Sequence, residues 1–254
     1  MDTIINYPKA LIVVLLSSLL FAACSPGEAE QTEADRESNG TESPTVLIVG
    51  GHADHDFDRW FNQEDTSILR NAGAQVSYTD DPDAIAGQLN QLDILFLSNN
   101  QPLPDPELQE SIHDFVRQGN SLLLVHAAIW YNWQEEWPEY YRDFTGGGSH
   151  SHPPFGEFDV YLTDELHPVT EGLPERFTVT DELYRFQRAD GGTDMNILAY
   201  GIEAETGEEY PVIWTTRYGD GKIVNITLGH DGQTHQSPLY ITLLENSIQW
   251  LSEE

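Results

Sequence analysis

The sequence predicts an α/β protein, a mostly parallel sheet with helices on both faces. Three features carry that reading. Val46–Val49, Ile94–Leu97 and Leu122–Val125 are unbroken apolar runs, the pattern of strands covered on both faces rather than one. A well-punctuated helix fills the stretch between the second and third runs, and helical patterning also follows the first. The β-α-β-α-β order that results is that of parallel crossover units.

Taken in order, Thr45–Gly51 is the first strand, ending in two glycines, and the loop after it carries His52, His55 and Asp56. A helical stretch then runs to Ala72, with Gly73 just past its end. Gln75–Tyr78 is a short second strand that meets the acidic turn Thr79–Asp83, and the third strand opens into Ser98–Gln101. Asp105 and Pro106 are the N-cap and first residue of the clearest helix. Leu108, Ile112, Phe115 and Val116 form its buried stripe, and Gly119 stops it. His126 sits where the central strand runs out, the position at which open α/β sheets bind ligands. Beyond it come an aromatic stretch (Trp130, Trp133, Trp137, Tyr140, Tyr141), a Gly146–Gly148 turn and the His150–Pro154 loop. Phe158–Leu162 alternates like an edge strand. Phe177–Val179, Ile197–Tyr200, Val212–Thr215 and Ile223–Leu228 are further strands, and Ser237-Pro238 opens a closing helix with Leu244, Ile248 and Leu251 on one face.

The N-terminus reads as a targeting segment. Ala10–Ala23 is apolar but too short to span a bilayer, and it follows a single Lys9. Phe21-Ala22-Ala23 precedes Cys24, the only cysteine, as in a bacterial lipobox. Residues 1–23 are therefore expected to be a lipoprotein signal peptide, with Cys24 lipidated and the protein exported to the cell envelope, periplasmic or on the outer membrane. An ordinary signal peptide is the alternative, and the mass of the mature N-terminus separates the two. Residues 24–44, rich in Glu, Ser and Gly, read as a disordered acidic tether, leaving 45–254 as one domain.

Removing Met1–Ala23 takes away Asp2 and Lys9, so the net charge stays at −32. So few cations cannot form a basic patch, which excludes nucleic acid as a partner. The membrane enters only through the N-terminal anchor.

The chain has no GxSxG elbow, Walker loop, GxGxxG turn or HExxH helix. What it has is histidine and carboxylate at strand ends: His55-Asp56, His126 and His230-Asp231, with His150 and His152 in a Gly/Pro loop. Histidine supplies acid or base near neutral pH, and clustered His and Asp are also a possible divalent metal site. For His150 and His152 a polar surface loop is the plainer reading. His113, beside a core stripe, reads as structural. The aromatic stretch can stack a sugar ring or simply pack in the core.

These motifs together resemble the trehalose-utilisation (ThuA-like) family. The resemblance rests on TVLIVGG, LLLVHAA, WPEYYRDFTGGGSHSHPPF, HPVTEGLP, TDELYRF and PVIWTTRYGDGKIVNITLGHD, in order, over most of Val46–Leu251. It implies a flavodoxin-like, class I glutamine amidotransferase-like three-layer α/β/α sandwich. Those amidotransferases carry a nucleophilic Cys after a central strand. Here the stretch reads Val125-His126-Ala127, so glutamine hydrolysis is not implied. By resemblance, His126, Glu182, His230 and Asp231 are candidate acid–base residues. His55, Asp56, His152, Asp181 and Tyr184 are candidate substrate contacts, with Trp130 as a stacking surface. The family is associated with disaccharide catabolism alongside oxidoreductases that make 3-keto sugars.

Three functions fit. The first is an enzyme on (keto-)disaccharides or glycosides, by elimination and hydration or by isomerisation. The second is a non-catalytic carbohydrate-binding lipoprotein. The third is a metal-dependent hydrolase of another substrate. The charge itself suggests adaptation to high salt, where self-repulsion is screened. On that reading the protein unfolds below roughly molar salt, and an unfolding midpoint indifferent to salt would refute it.

Overall fold

The computed structural model describes residues 43–51 and 54–253. The signal segment, Cys24, nearly all of the tether and His52 lie outside the described residues. The strands are β1 (Thr45–Val49), β2 (Gln75–Thr79), β3 (Ile94–Leu97), β4 (Ser121–Val125), β5 (Gly147–Gly148), β6 (Gly156–Leu162), β7 (Arg176–Asp181), β8 (Gln187–Arg188), β9 (Asn196–Ile202), β10 (Glu209–Tyr218) and β11 (Gly221–Ile226). The helices are α1 (Thr66–Asn71), entered from a wider π-helical segment over Asp58–Asp65, α2 (Pro106–Arg117), α3 (Pro138–Tyr140), α4 (Gly232–His235) and α5 (Pro238–Ser252). Asp105 caps α2 as read from sequence, its carboxylate accepting from the Glu107 N–H at 3.0 Å.

Nine strands form one sheet in the order β2-β1-β3-β4-β11-β10-β9-β6-β7. The pairings from β2 through β11 are parallel, and those from β11 through β7 are antiparallel. The parallel half is the one made by the apolar runs. Two details differ from the sequence reading. The Phe158–Leu162 strand pairs on both sides, so β7 is the edge. The last strand stops at Ile226, which frees Thr227–His230 to form a loop.

The continuous apolar runs follow from the two-sided burial. Val46 and Ile48 of β1 pack with Ile68, Leu69, Leu244 and Ile248 on one face. Leu47 and Val49 pack on the other with Ile112, Phe115 and the aromatic stretch. Each such fully buried side chain contributes about 2 kcal/mol of burial free energy. Trp133, Trp137, Tyr140, Tyr141 and Phe144 are core residues, and the buried polar ends find backbone partners. Trp133 Nε1 donates to Gln101 O at 2.8 Å and the Tyr140 hydroxyl to Ala128 O at 2.9 Å.

The antiparallel half curls. Four strand spacings of about 4.8 Å would put β7 roughly 19 Å from β11 in a flat sheet. Yet Gly229, three residues beyond β11, donates its N–H to Asp181 at the end of β7 at 2.8 Å. Register shifts in the β9–β10 pairing at Pro211–Trp214 supply the added twist that such irregularities produce. The carboxyl ends of β1, β4, β11 and β7 therefore meet at one rim.

Beneath that rim lies a buried polar tie. His235 Nδ1 is 2.6 Å from Asp65 Oδ1, and its Nε2–H donates to Gly229 O at 3.1 Å. The Tyr240 hydroxyl donates to Asp65 Oδ2 at 3.3 Å. One proton lies between Asp65 and Nδ1. Burial pulls His235 toward the neutral form, but the Asp65 charge outweighs it and raises the imidazole above its ordinary range. Burial likewise pushes Asp65 upward. Asp65→Ala leaves His235 buried without that partner and is expected to cost about 3–5 kcal/mol, read by denaturant unfolding. A loss under roughly 1 kcal/mol, the size of a surface substitution effect, would show that the tie is not structural.

Candidate active site

His126 occupies the turn after β4 with a φ of +48°, a left-handed conformation that costs a non-glycine residue on the order of 1 kcal/mol. Its anchor is Thr227 O in the loop after β11, which accepts from Nδ1 at 2.7 Å. A carbonyl only accepts, so Nδ1 carries the proton and Nε2 is left with its lone pair. The ring is fully buried. Burial, and then the neighbouring His55, hold it well below the ordinary histidine range, so it is neutral.

Two more imidazoles meet it. The His55 ring centroid is 4.9 Å from that of His126 and 5.0 Å from that of His230, and His126 and His230 are 5.4 Å apart. One ring nitrogen from each lies within 4.8 Å of the others. His55 Nδ1, His126 Nε2 and His230 Nδ1 are all buried with no hydrogen-bond partner. Buried polar atoms are rarely left this way, and these three are the atoms in this site that could hold a metal ion. His55 is lowered by burial and by His230.

Glu182 is the carboxylate of the site. Its Oε2 is 3.4 Å from His230 Nδ1 and 3.7 Å from His126 Nε2, and its Oε1 is 3.4 Å from His152 Nε2. These are ion-pair contacts, too long for good hydrogen bonds. Burial pushes Glu182 up, but His230, His152 and His55 together outweigh it and bring it below its ordinary value. In return, Glu182 raises His230. The group opens into a pocket of about 300 Å³, walled by Trp130, Tyr184, Asn100 and Asn132, at the lower end of the range for small-ligand sites.

The structure thus brings His55, His126, His152, His230, Glu182, Trp130 and Tyr184 together. It turns three other candidates elsewhere. Asp181 is buried beneath the site. It accepts from the N–H groups of Glu182 at 2.7 Å, Gly229 at 2.8 Å and His230 at 3.4 Å, and from the Thr234 hydroxyl. Its oxygens accept from the protein, so it positions the site from below the pocket wall, whose lining does not include it. Asp231 caps α4 through the Gln233 N–H at 2.8 Å, and Asp56 accepts from the Arg59 N–H at 3.2 Å. Both serve local turns, and neither lines the pocket. His150 is exposed and stands against Tyr131, outside the cluster.

Several contributors were not among the residues predicted from sequence, Asp54 and Asn100 of the pocket wall included. Asn132 lines the pocket and donates to Ala127 O at 2.6 Å. Thr227 acts through its backbone carbonyl, which no side-chain motif can signal. Phe155, 38% exposed, faces His230 with ring centroids 5.0 Å apart. Its place directly after the His152-Pro153-Pro154 loop was the one available cue.

Comparison with known proteins agrees with this architecture. The structure is similar to those of ThuA-like proteins from Parabacteroides merdae (TM-score 0.69, 22% identity, covering 83% of this chain and 90% of that one) and Bacteroides uniformis (0.69, 18%, 85% and 94%). A β-galactosidase from Bacillus circulans contains the same fold (0.53, 12% identity), covering 83% of this chain and 30% of that one. No curated protein matches the sequence. The model of the ThuA family, described as trehalose utilisation, matches residues 45–251. The chain belongs to the ThuA family.

Proposed function

We propose that this protein is an enzyme acting on disaccharides or glycosides oxidised at C3, with Glu182 as the base. The observation that carries the reading is the Glu182 carboxylate. It is kept ionised by the surrounding imidazoles at the floor of a pocket walled by Trp130 and Tyr184. A ketone at C3 acidifies the C2 proton. Glu182 takes that proton, and the electron pair moves onto the C3 oxygen as an enolate. Collapse of the enolate restores the ketone, forms a C1=C2 bond and expels the oxygen at C1. His152, at the pocket mouth, protonates that leaving oxygen. Water then adds at C1, returning its proton to His152, while Glu182 returns its own to C2. The net change is hydrolysis to a free sugar and a 3-keto monosaccharide. His230, raised beside Glu182, supplies the positive potential that the enolate oxygen needs. Trp130 offers its ring face to the sugar.

The test is release of monosaccharide from a 3-keto-disaccharide by the purified protein. Glu182→Gln is expected to lower turnover by about 10²- to 10⁴-fold, the usual contribution of a positioned base. Folded protein that binds the sugar through Trp130 without turning it over would mean a binding lipoprotein instead. Exchange of the C2 proton with D2O without sugar release would mean an isomerase.

The same assay has a defined pH dependence. The base works only when ionised, and Glu182 lies below its ordinary value. Turnover is therefore expected to hold as the pH falls to the usual carboxylate range, about 4, and to decline only below it. An acid limb near neutrality would assign the base to a histidine.

A further inference from the structure

We propose that His55, His126 and His230 form a divalent transition-metal site, with zinc as the natural occupant and Glu182 beside its open position. A buried ring nitrogen is hydrogen-bonded in most proteins, yet three here have no hydrogen bond, and one ring nitrogen of each imidazole lies within 4.8 Å of the others. A bound ion satisfies all three at once. Zinc–nitrogen bonds of about 2.0–2.1 Å hold tetrahedral ligands roughly 3.4 Å apart. Nitrogens already within 4.8 Å need only small side-chain adjustments to reach that spacing.

The surroundings fit as well. A metal-binding imidazole usually donates its other N–H to a carbonyl or carboxylate, which fixes tautomer and orientation. His126 does so to Thr227 O at 2.7 Å. Asp181 fixes the His230 backbone from below and that of Glu182 from the side. The three ligands come from three separate strand ends, the loop after β1, the turn after β4 and the loop after β11, so the sheet itself sets their spacing.

Imidazole ligands suit zinc, copper, nickel or iron(II), while magnesium and calcium prefer oxygen. Three protein nitrogens also leave one position for water or substrate, the pattern of catalytic zinc. The Glu182 oxygen, 3.4 Å from His230 Nδ1 and 3.7 Å from His126 Nε2, stands next to that position. There it can ligate the ion or take a proton from bound water. An ion there would also polarise a sugar ketone. The site does not depend on the sugar reading, since its test contains no sugar.

The test is metal uptake by the purified full chain after chelation and desalting. It is run in excess magnesium and salt, so that the acidic surface does not contribute. Zinc stoichiometry is measured directly, and cobalt is used as a spectroscopic probe because low-coordinate nitrogen ligation absorbs far more strongly than six oxygens. The expected result is one equivalent per chain with intense visible cobalt bands. His230→Gln and His55→Gln are each expected to weaken binding by at least roughly 100-fold, beyond the 10- to 100-fold typical of outer partners. His150→Gln, outside the cluster, is expected to leave it unchanged. Both ligand variants avoid the strained turn at His126, and circular dichroism verifies that they are folded. Folded wild type without a tight equivalent would overturn the site, as would equal uptake by wild type and both ligand variants.

Discussion

One buried carboxylate holds the working end of this molecule together. Asp181 ends the far edge strand and accepts four hydrogen bonds, three of them from the backbone of Glu182, Gly229 and His230. Every neighbour is a donor, which suits an ionised carboxylate. Burial raises it above its ordinary value, and those donors offset only part of the rise. The bonds tie the curled antiparallel half of the sheet to the loop that follows its parallel half. Without that closure, Glu182 and His230 would sit on separate strands many ångströms apart. The Asp65–His235 tie supports the same loop from the other side through Gly229 O.

The electrostatics of the site follow from this enclosure. The chain carries a net charge of −32, yet its candidate site groups imidazoles around Glu182. Burial keeps His126 and His55 neutral, whereas His230, beside Glu182, is raised. Neighbouring groups are thus driven in opposite directions, the arrangement that separates acid and base roles in enzymes. The strained backbone at His126 is maintained by two-sided packing and by the Thr227 carbonyl. Here this turn presents a nitrogen lone pair.

The sheet's parallel half was legible from the chain because two-sided burial demands unbroken apolar runs. Leu122–Val125 therefore announced both a strand and the titratable group at its end. The Asp105-Pro106 cap was equally legible, since capping is local chemistry. The edge assignment of Phe158–Leu162 failed because alternation reports one wetter face and says nothing about how many strands lie beside it. The His-Asp pairs misled for a similar reason. Asp56 and Asp231 are adjacent to site histidines in the chain, but a loop turns neighbouring side chains in different directions, and both serve their own helix starts.

By itself the sequence determined the α/β class, the order of the parallel strands' elements, the family, and the presence of histidine at three strand ends. These depend on local periodicity and on residue identity. Which of those groups meet was decided by the tertiary structure alone. The curl of the antiparallel half, the carbonyl of Thr227 and the burial of Asp181 set the distances, and none is encoded by a single residue. Proximity between the ends of β1, β4, β7 and β11 is a property of how the sheet closes, and it turns scattered histidines into a site.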